Sequence, residues 1–478
     1  MEKIILAKNF INNEWISEDQ EDCLEIYDKN ENLLIAKINY ISDSNLNWAI
    51  ESSVEAFVNF KNTSAEERAN YLLKLKEGLI LEKEKFVNLI VMEAGKPIDL
   101  ARIEVERGIG LLQTAFEEAI RHKGGIVPMD FSIGIGKTAF SKNFPIGPVL
   151  AITPFNFPLN LVLHKLAPAL AVGCSVLLKP SLHTPLTAIA LASLCKKMGL
   201  PKGVLNVVIC KNEQIELLLK DDRLKMLSFT GSAEVGFKLK EKAYSKRVVL
   251  ELGGNASVIV DKTADLNFAI KKIINSCYNY SGQTCLSVQK IFVDKTIYEN
   301  FLEIFMEEME NIHSNLAHLE GVQNGPMISD SQINKLLDWL EEAKSKGAQI
   351  LKGGFRHLEF SNILMPTLVT HANEDMKIVK EEVFGPIAVI GPVEYFDEVI
   401  SLINSSKYGL QVGLFTNQIS QMKYAFQQLD VGTVIINDTP SFRMDHMPYG
   451  GVKNSGCGKE GVKYAMDEMS NSRLLIYS

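Results

Sequence analysis

The chain has 478 residues, 46% of them hydrophobic, and a formal net charge of −8. Length and apolar content exclude a disordered chain or a small stapled scaffold and predict about two to three domain-sized units. The negative charge offers no general attraction for nucleic-acid phosphates or anionic membranes, so an anionic ligand must be met by local cations.

From the N-terminus, residues 9–15 and 34–38 read as short β segments, and amphipathic helices follow to about Arg121. Around Arg107, Val105, Ile109, Leu112, Phe116 and Ile120 form a helical stripe that leaves Arg107 on the polar face, where Glu104 three residues earlier is a candidate ion-pair partner. Residues 124–145 turn to glycine-punctuated β-like sequence, expected to form an arm. The longest uncharged stretch, 147–163, is interrupted by Pro148, Pro154 and Pro158, so no membrane-spanning helix is expected.

From residue 149 short apolar runs at 149–153, 175–178, 205–209, 226–229 and 248–250 alternate with segments long enough for crossover helices. This predicts a parallel α/β sheet that gathers ligands at its carboxyl edge. Asn156, Lys179, Thr230 and Glu251 all lie at or just past these strand ends. A second alternation starts at 257–260 and continues through a helix with apolar positions Leu266, Ala269, Ile270, Ile273, Ile274 and Cys277, which Ser281-Gly282 should stop. Cys285 then falls in a loop before a strand near Ile291. Further units run through 432–436, and a strand-like 474–477 closes the chain.

Glu251-Leu252-Gly253-Gly254 and Gly282-Gln283-Thr284-Cys285 supply a carboxylate and a thiol, each beside glycines that admit a substrate to the backbone. A thiol and a base are the minimal equipment for covalent catalysis at a carbonyl. Alternatively, Cys285 is a small buried hydrophobe and Glu251 pairs with Arg247. Asn156, fixed between Pro154 and Pro158, reads locally as a turn former, while its amide would serve as an oxyanion donor. Phe229-Thr230-Gly231-Ser232 joins a strand to a helix N-terminus able to face a pyrophosphate. The seven cysteines (Cys23, Cys174, Cys195, Cys210, Cys277, Cys285, Cys457) show no paired metal spacing and predict free thiols in a cytoplasmic setting. The eight histidines form no ligand motif, so no metal is expected. His164 and His446 read as packing or exposed residues.

These segments, with Thr153-Pro154-Phe155-Asn156-Phe157-Pro158, Leu178-Lys179-Pro180-Ser181, Glu381-Glu382-Val383-Phe384-Gly385-Pro386 and Pro448-Tyr449-Gly450-Gly451-Val452-Lys453, resemble the aldehyde dehydrogenase superfamily over nearly the whole chain. The resemblance implies an α/β architecture. A Rossmann-like cofactor-binding domain would comprise 1–123 and 146–253, an α/β catalytic domain 254–453, and a β-rich oligomerisation element 124–145 with 466–478, making a dimer or tetramer. It assigns Cys285 as nucleophile, Asn156 with the Cys285 N–H as oxyanion hole, and Glu251 as the base for water. It places Ile152, Thr153, Pro154, Lys179, Ser181, Leu182, Thr230, Gly231, Ser232, Leu252, Glu382 and Phe384 around NAD or NADP.

Many NAD-preferring relatives carry a glutamate where this chain has Leu182, which makes NADP admissible with Lys179 and His183 nearby. Arg107 and Arg443 resemble the anion-binding arginines of the branch acting on glyceraldehyde 3-phosphate without phosphorylation, phosphonoacetaldehyde, lactaldehyde and sulfolactaldehyde. On spacing, Arg443 pairs equally with Asp445. Thr284 replaces an arginine found in some of those relatives, which predicts a singly charged or merely polar tail. A broad-specificity short-chain aldehyde dehydrogenase, a thiol esterase using Cys285, and a non-catalytic protein of the same fold are the competing readings.

Overall fold

The five apolar runs of the first half form parallel strands whose interior positions are buried on both faces, the pattern expected where helices cover a sheet twice. The structure is a computed structural model and describes residues 4–18 and 22–478. An eight-stranded sheet runs in the order Gly456–Cys457, Arg247–Glu251, Met226–Thr230, Val149–Ile152, Val176–Lys179, Leu205–Val207, Asn9–Ile11 and Glu14–Ile16. Its five central strands are parallel and the flanking ones antiparallel. Residues 9–15 are therefore a tight hairpin rather than one segment, turning at Asn12 and Asn13 with φ of 52° and 62°.

A second, seven-stranded sheet holds Ala256–Val260 and Val288–Asp294 as neighbours. Helix Leu266–Tyr278 connects them, so Cys285 sits at the entrance to the latter strand. That helix stops at Tyr278, earlier than Ser281-Gly282. Tyr280 and Ser281 take left-handed backbone angles (φ 54° and 55°), and Gly282 continues the turn because a Cβ there would meet the Gly385 carbonyl at 2.2 Å. The strand at Cys23–Tyr27, which pairs with Leu34–Asn39, was missed because its charged and half-exposed residues give no clear alternation.

Helix Ile98–Arg121 buries a face that shares Val105 and Leu112 with the predicted stripe, has Ile109 and Phe116 at its margin, and is otherwise made of smaller residues. Ala101, Glu104, Val105, Gly108, Leu111, Leu112, Ala115 and Ala119 are inside, while Ile120 is exposed. Small residues set this face because the helix packs closely on Asn160–Val172; a Cβ on Gly108 would lie 2.9 Å from Leu163. Helix Asn160–Val172 is buried along its whole length, which places His164 and Lys165 inside the protein.

Residues 124–145 form the expected arm. Strands Ile126–Val127 and Thr138–Pro145 extend into a three-stranded sheet with Ser470–Tyr477, which is longer than the 474–477 read from sequence. Ile126, Phe131, Ile133, Ile135, Leu475 and Ile476 are exposed on it. No helix among the described residues is long and apolar enough to cross a membrane.

Candidate active site

The carboxyl ends of strands Val149–Ile152, Met226–Thr230 and Arg247–Glu251 open into a cavity of about 880 Å³. Its opposite wall comes from the second sheet through Thr284, Cys285, Glu382 and Phe384, so one space joins both halves of the chain. Asn156 Nδ2 donates to the Gln283 carbonyl at 3.0 Å and thereby ties the loop after the first strand to the loop carrying Cys285. The Asn156 Oδ1, both Glu251 carboxylate oxygens and Thr230 Oγ1 are buried without a partner. An unmade hydrogen bond of this kind costs about 1–3 kcal/mol, a cost that a bound reactant can remove.

Burial pushes the Cys285 thiol up to about 11, partly offset by a hydrogen bond with Tyr449 Oη at 3.3 Å. The resting sulfur is a thiol that needs a base. Glu251 is held well above the usual carboxylate range by burial and by the nearby Glu460 charge, which raises its affinity for a proton. Glu460 is driven the other way, since buried Lys165 donates to it at 2.9 Å. Two carboxyl groups with opposed environments thus sit behind one cavity. The suggested Arg247 partner for Glu251 is absent because Arg247 donates to the Glu468 and Ser470 carbonyls.

At one end of the cavity, Glu382 Oε1 accepts the Gly254 N–H at 3.1 Å, and a Cβ on Gly253 would fall 2.2 Å from Glu382 Oε2. Only glycine lets that carboxylate lie on the backbone, and burial raises it to about 7. Ser232 caps helix Ala233–Lys242, and Thr230, Gly231, Leu252 and Phe384 complete this wall with Pro154. The Glu382 carboxyl and the unpartnered Thr230 Oγ1 beside a helix N-terminus fit a phosphorylated, ribose-containing cofactor. Ile152, Thr153, Lys179, Ser181 and Leu182 do not line the cavity itself. Ile152 and Lys179 are register partners at adjacent strand ends, and Leu182 packs on the Ile26, Ile38 and Leu186 cluster. His183 does line the cavity.

The other end corrects the sequence pairings. Arg107 donates to Asp445 at 2.7 Å, while Glu104 is taken by Lys96 and accepts the Leu159 and Asn160 N–H groups. Arg443 does not pair with Asp445. Its guanidinium lies 3.7 Å over the Tyr449 ring, with Nη2 3.3 Å from His164 Nε2 and 3.5 Å from Glu460. His164, read from sequence as packing, lines the cavity and meets Asp445 at 3.0 Å. Burial opposes ionisation of Asp445, but hydrogen bonds and charge from His164 and Arg107 outweigh it and hold its carboxyl well below the usual range. Thr284 lines the cavity, and His446 is exposed.

Lys96 was also missed. Its ammonium sits 3.6 Å over the Phe157 ring and 4.7 Å over the Tyr280 ring, and so touches both the loop that carries Asn156 and the turn that leads to Cys285. Burial pulls it down to about 8, against the pull of Glu104. The sequence signal was available in Gly95-Lys96-Pro97, where φ of 64° at Gly95 ends a helix and turns the lysine inward.

Residues 15–475 match the profile described as the aldehyde dehydrogenase family. A 3-sulfolactaldehyde dehydrogenase of Priestia megaterium is 42% identical over 470 residues, covering 98% of this chain and 97% of that protein. Among solved structures, aldehyde dehydrogenase 21 from Physcomitrella patens, in complex with the reaction product succinate, is similar with a TM-score of 0.96 and 37% identity, covering 99% of this chain and 98% of the other. A glyceraldehyde-3-phosphate dehydrogenase from Methanocaldococcus jannaschii, complexed with NADP, has a TM-score of 0.91 and 36% identity, covering 96% and 100%.

Proposed function

The chain belongs to the aldehyde dehydrogenase family, and from that premise we propose that it oxidises a small polar or singly anionic aldehyde to the carboxylate with NAD or NADP. The observation that carries this reading is the convergence on one cavity of the Cys285 thiol, the Asn156 amide tied to its loop, and the unpartnered Glu251 carboxyl. Bound NAD or NADP would supply the hydride acceptor, with Glu382, Thr230, Gly231 and Ser232 as its holders. Cys285 adds to the carbonyl, and Asn156 with the Cys285 N–H stabilises the oxyanion without protonating it. The thiol proton passes to solvent as the bond to carbon forms, and Glu251 takes the proton of the water that cleaves the thioester.

The tail preference rests on Arg443 and Arg107, with Thr284 adding no further charge beside the nucleophile. The exposed apolar arm supports a homo-oligomer, and seven free cysteines agree with a reducing, cytoplasmic setting. The test is nucleotide-dependent absorbance at 340 nm across an aldehyde panel, with the carboxylate product identified. Wild type should turn over with NAD or NADP and Cys285→Ala should not. Ester hydrolysis without any nucleotide-dependent oxidation would overturn the reading in favour of a thiol esterase.

A further inference from the structure

Almost every cation at the tail end of the cavity already has a carboxylate of its own. Arg107 is paired with Asp445 at 2.7 Å, Lys165 with Glu460 at 2.9 Å, Lys272 with Asp438 at 2.6 Å, and Lys96 with Glu104. Arg443 is the exception among the described residues at this end. Its nearest carboxylate, 3.5 Å away, is the Glu460 already held by Lys165. Its Nε is buried without a partner, and only 9% of the side chain is exposed.

Burial and the Arg443 charge pull the His164 ring below its ordinary value, against its contact with Asp445. Its Nε2 lies 3.0 Å from Asp445, and both ring nitrogens lie within 3.5 Å of Arg443 Nη2. Glu251 faces the same cluster, its carboxyl raised well above the usual range by burial and by Glu460.

We propose that Asp445 is a specificity-determining residue: by pairing with Arg107 it leaves Arg443, which shares Glu460 with Lys165, as the one cation at this end without a carboxylate of its own, which matches the pocket to a monoanionic tail and against a phosphate dianion. Asp445 does not itself line the cavity. It acts through Arg107 and His164 and is a positioning residue rather than a catalytic one. Because these groups are largely enclosed, salt screens their balance little, and a second unpaired cation would be felt directly by a bound anion. The inference rests on the proposed aldehyde oxidation.

The test compares kcat/KM of the full-length enzyme for lactaldehyde, 3-sulfolactaldehyde and glyceraldehyde 3-phosphate, whose tails are neutral, singly and doubly charged on a shared 2-hydroxyaldehyde frame. Asp445→Asn keeps the shape and frees Arg107, so the phosphate-to-sulfonate ratio should rise about tenfold. Arg107→Gln leaves Asp445 uncompensated, and the sulfonate-to-lactaldehyde ratio should fall about tenfold. A folding defect would lower all three substrates together and move neither ratio. Unchanged ratios in both variants of an active enzyme would overturn the role of Asp445 while leaving the aldehyde oxidation intact. A folded wild type inactive toward all three with either nucleotide would overturn the oxidation of this substrate class itself.

Discussion

At the centre of the cavity the Asn156 Oδ1 and both Glu251 carboxylate oxygens lack partners, whereas a few residues away Lys96, Arg107 and Lys165 are each held by a carboxylate. The two regions have similar burial but opposite accounting. Unpaired groups at the centre are reserved for atoms that arrive with the substrate. Paired charges at the edge hold loops in register, and the proposed substrate preference rests on them.

Breaking the paired region should have the larger effect. Lys96→Met leaves the buried Glu104 uncompensated, a loss of about 3–5 kcal/mol, and removes the cation that bridges Phe157 and Tyr280. Steady-state kinetics should show kcat down about tenfold with KM little changed, because the Asn156 amide loses its fixed position. An equal rise in KM at unchanged kcat would mean that Lys96 serves binding instead.

The unpaired region should respond in the opposite sense. The folded-state pKa of Glu251 is raised above its unfolded value, so its contribution to stability is fullest at low pH and is lost as pH rises through the folded value. Glu251→Gln removes that penalty. Thermal melts should show the variant about 2 °C more stable than wild type at pH 8, with the difference vanishing toward pH 4. A variant less stable at pH 8 would show that Glu251 is satisfied after all, and the contrast between the two regions would fail.

The same contrast explains what could be read in the chain. Strand ends carrying Asn156, Thr230 and Glu251 were legible because buried parallel strands appear as continuous apolar runs that stop where function begins. Cys285 was legible because it follows a helix-breaking segment rather than lying in an apolar stripe. The pairing of Arg107 with Asp445 spans 338 residues, so local spacing pointed to Glu104 instead. His164 and Lys165 lie in a helix buried on every side, where no amphipathic pattern separates a functional face from a packed one. The stripe on helix Ile98–Arg121 held at Val105 and Leu112, with Ile109 and Phe116 packed against the core, but missed Ile120, which is exposed, and the small residues Gly108, Ala115 and Ala119, which carry no periodic apolar signal.

The central claim is that Cys285 carries the acyl group and Glu251 activates the water that removes it. Its most direct measurement is intact-protein and peptide mass spectrometry of Glu251→Gln quenched after mixing with aldehyde and nucleotide. The account predicts an acyl adduct accumulating on the peptide that contains Cys285, slow to discharge in the variant and transient in wild type. An adduct on another residue, or rapid carboxylate release in Glu251→Gln with no adduct at all, would contradict it.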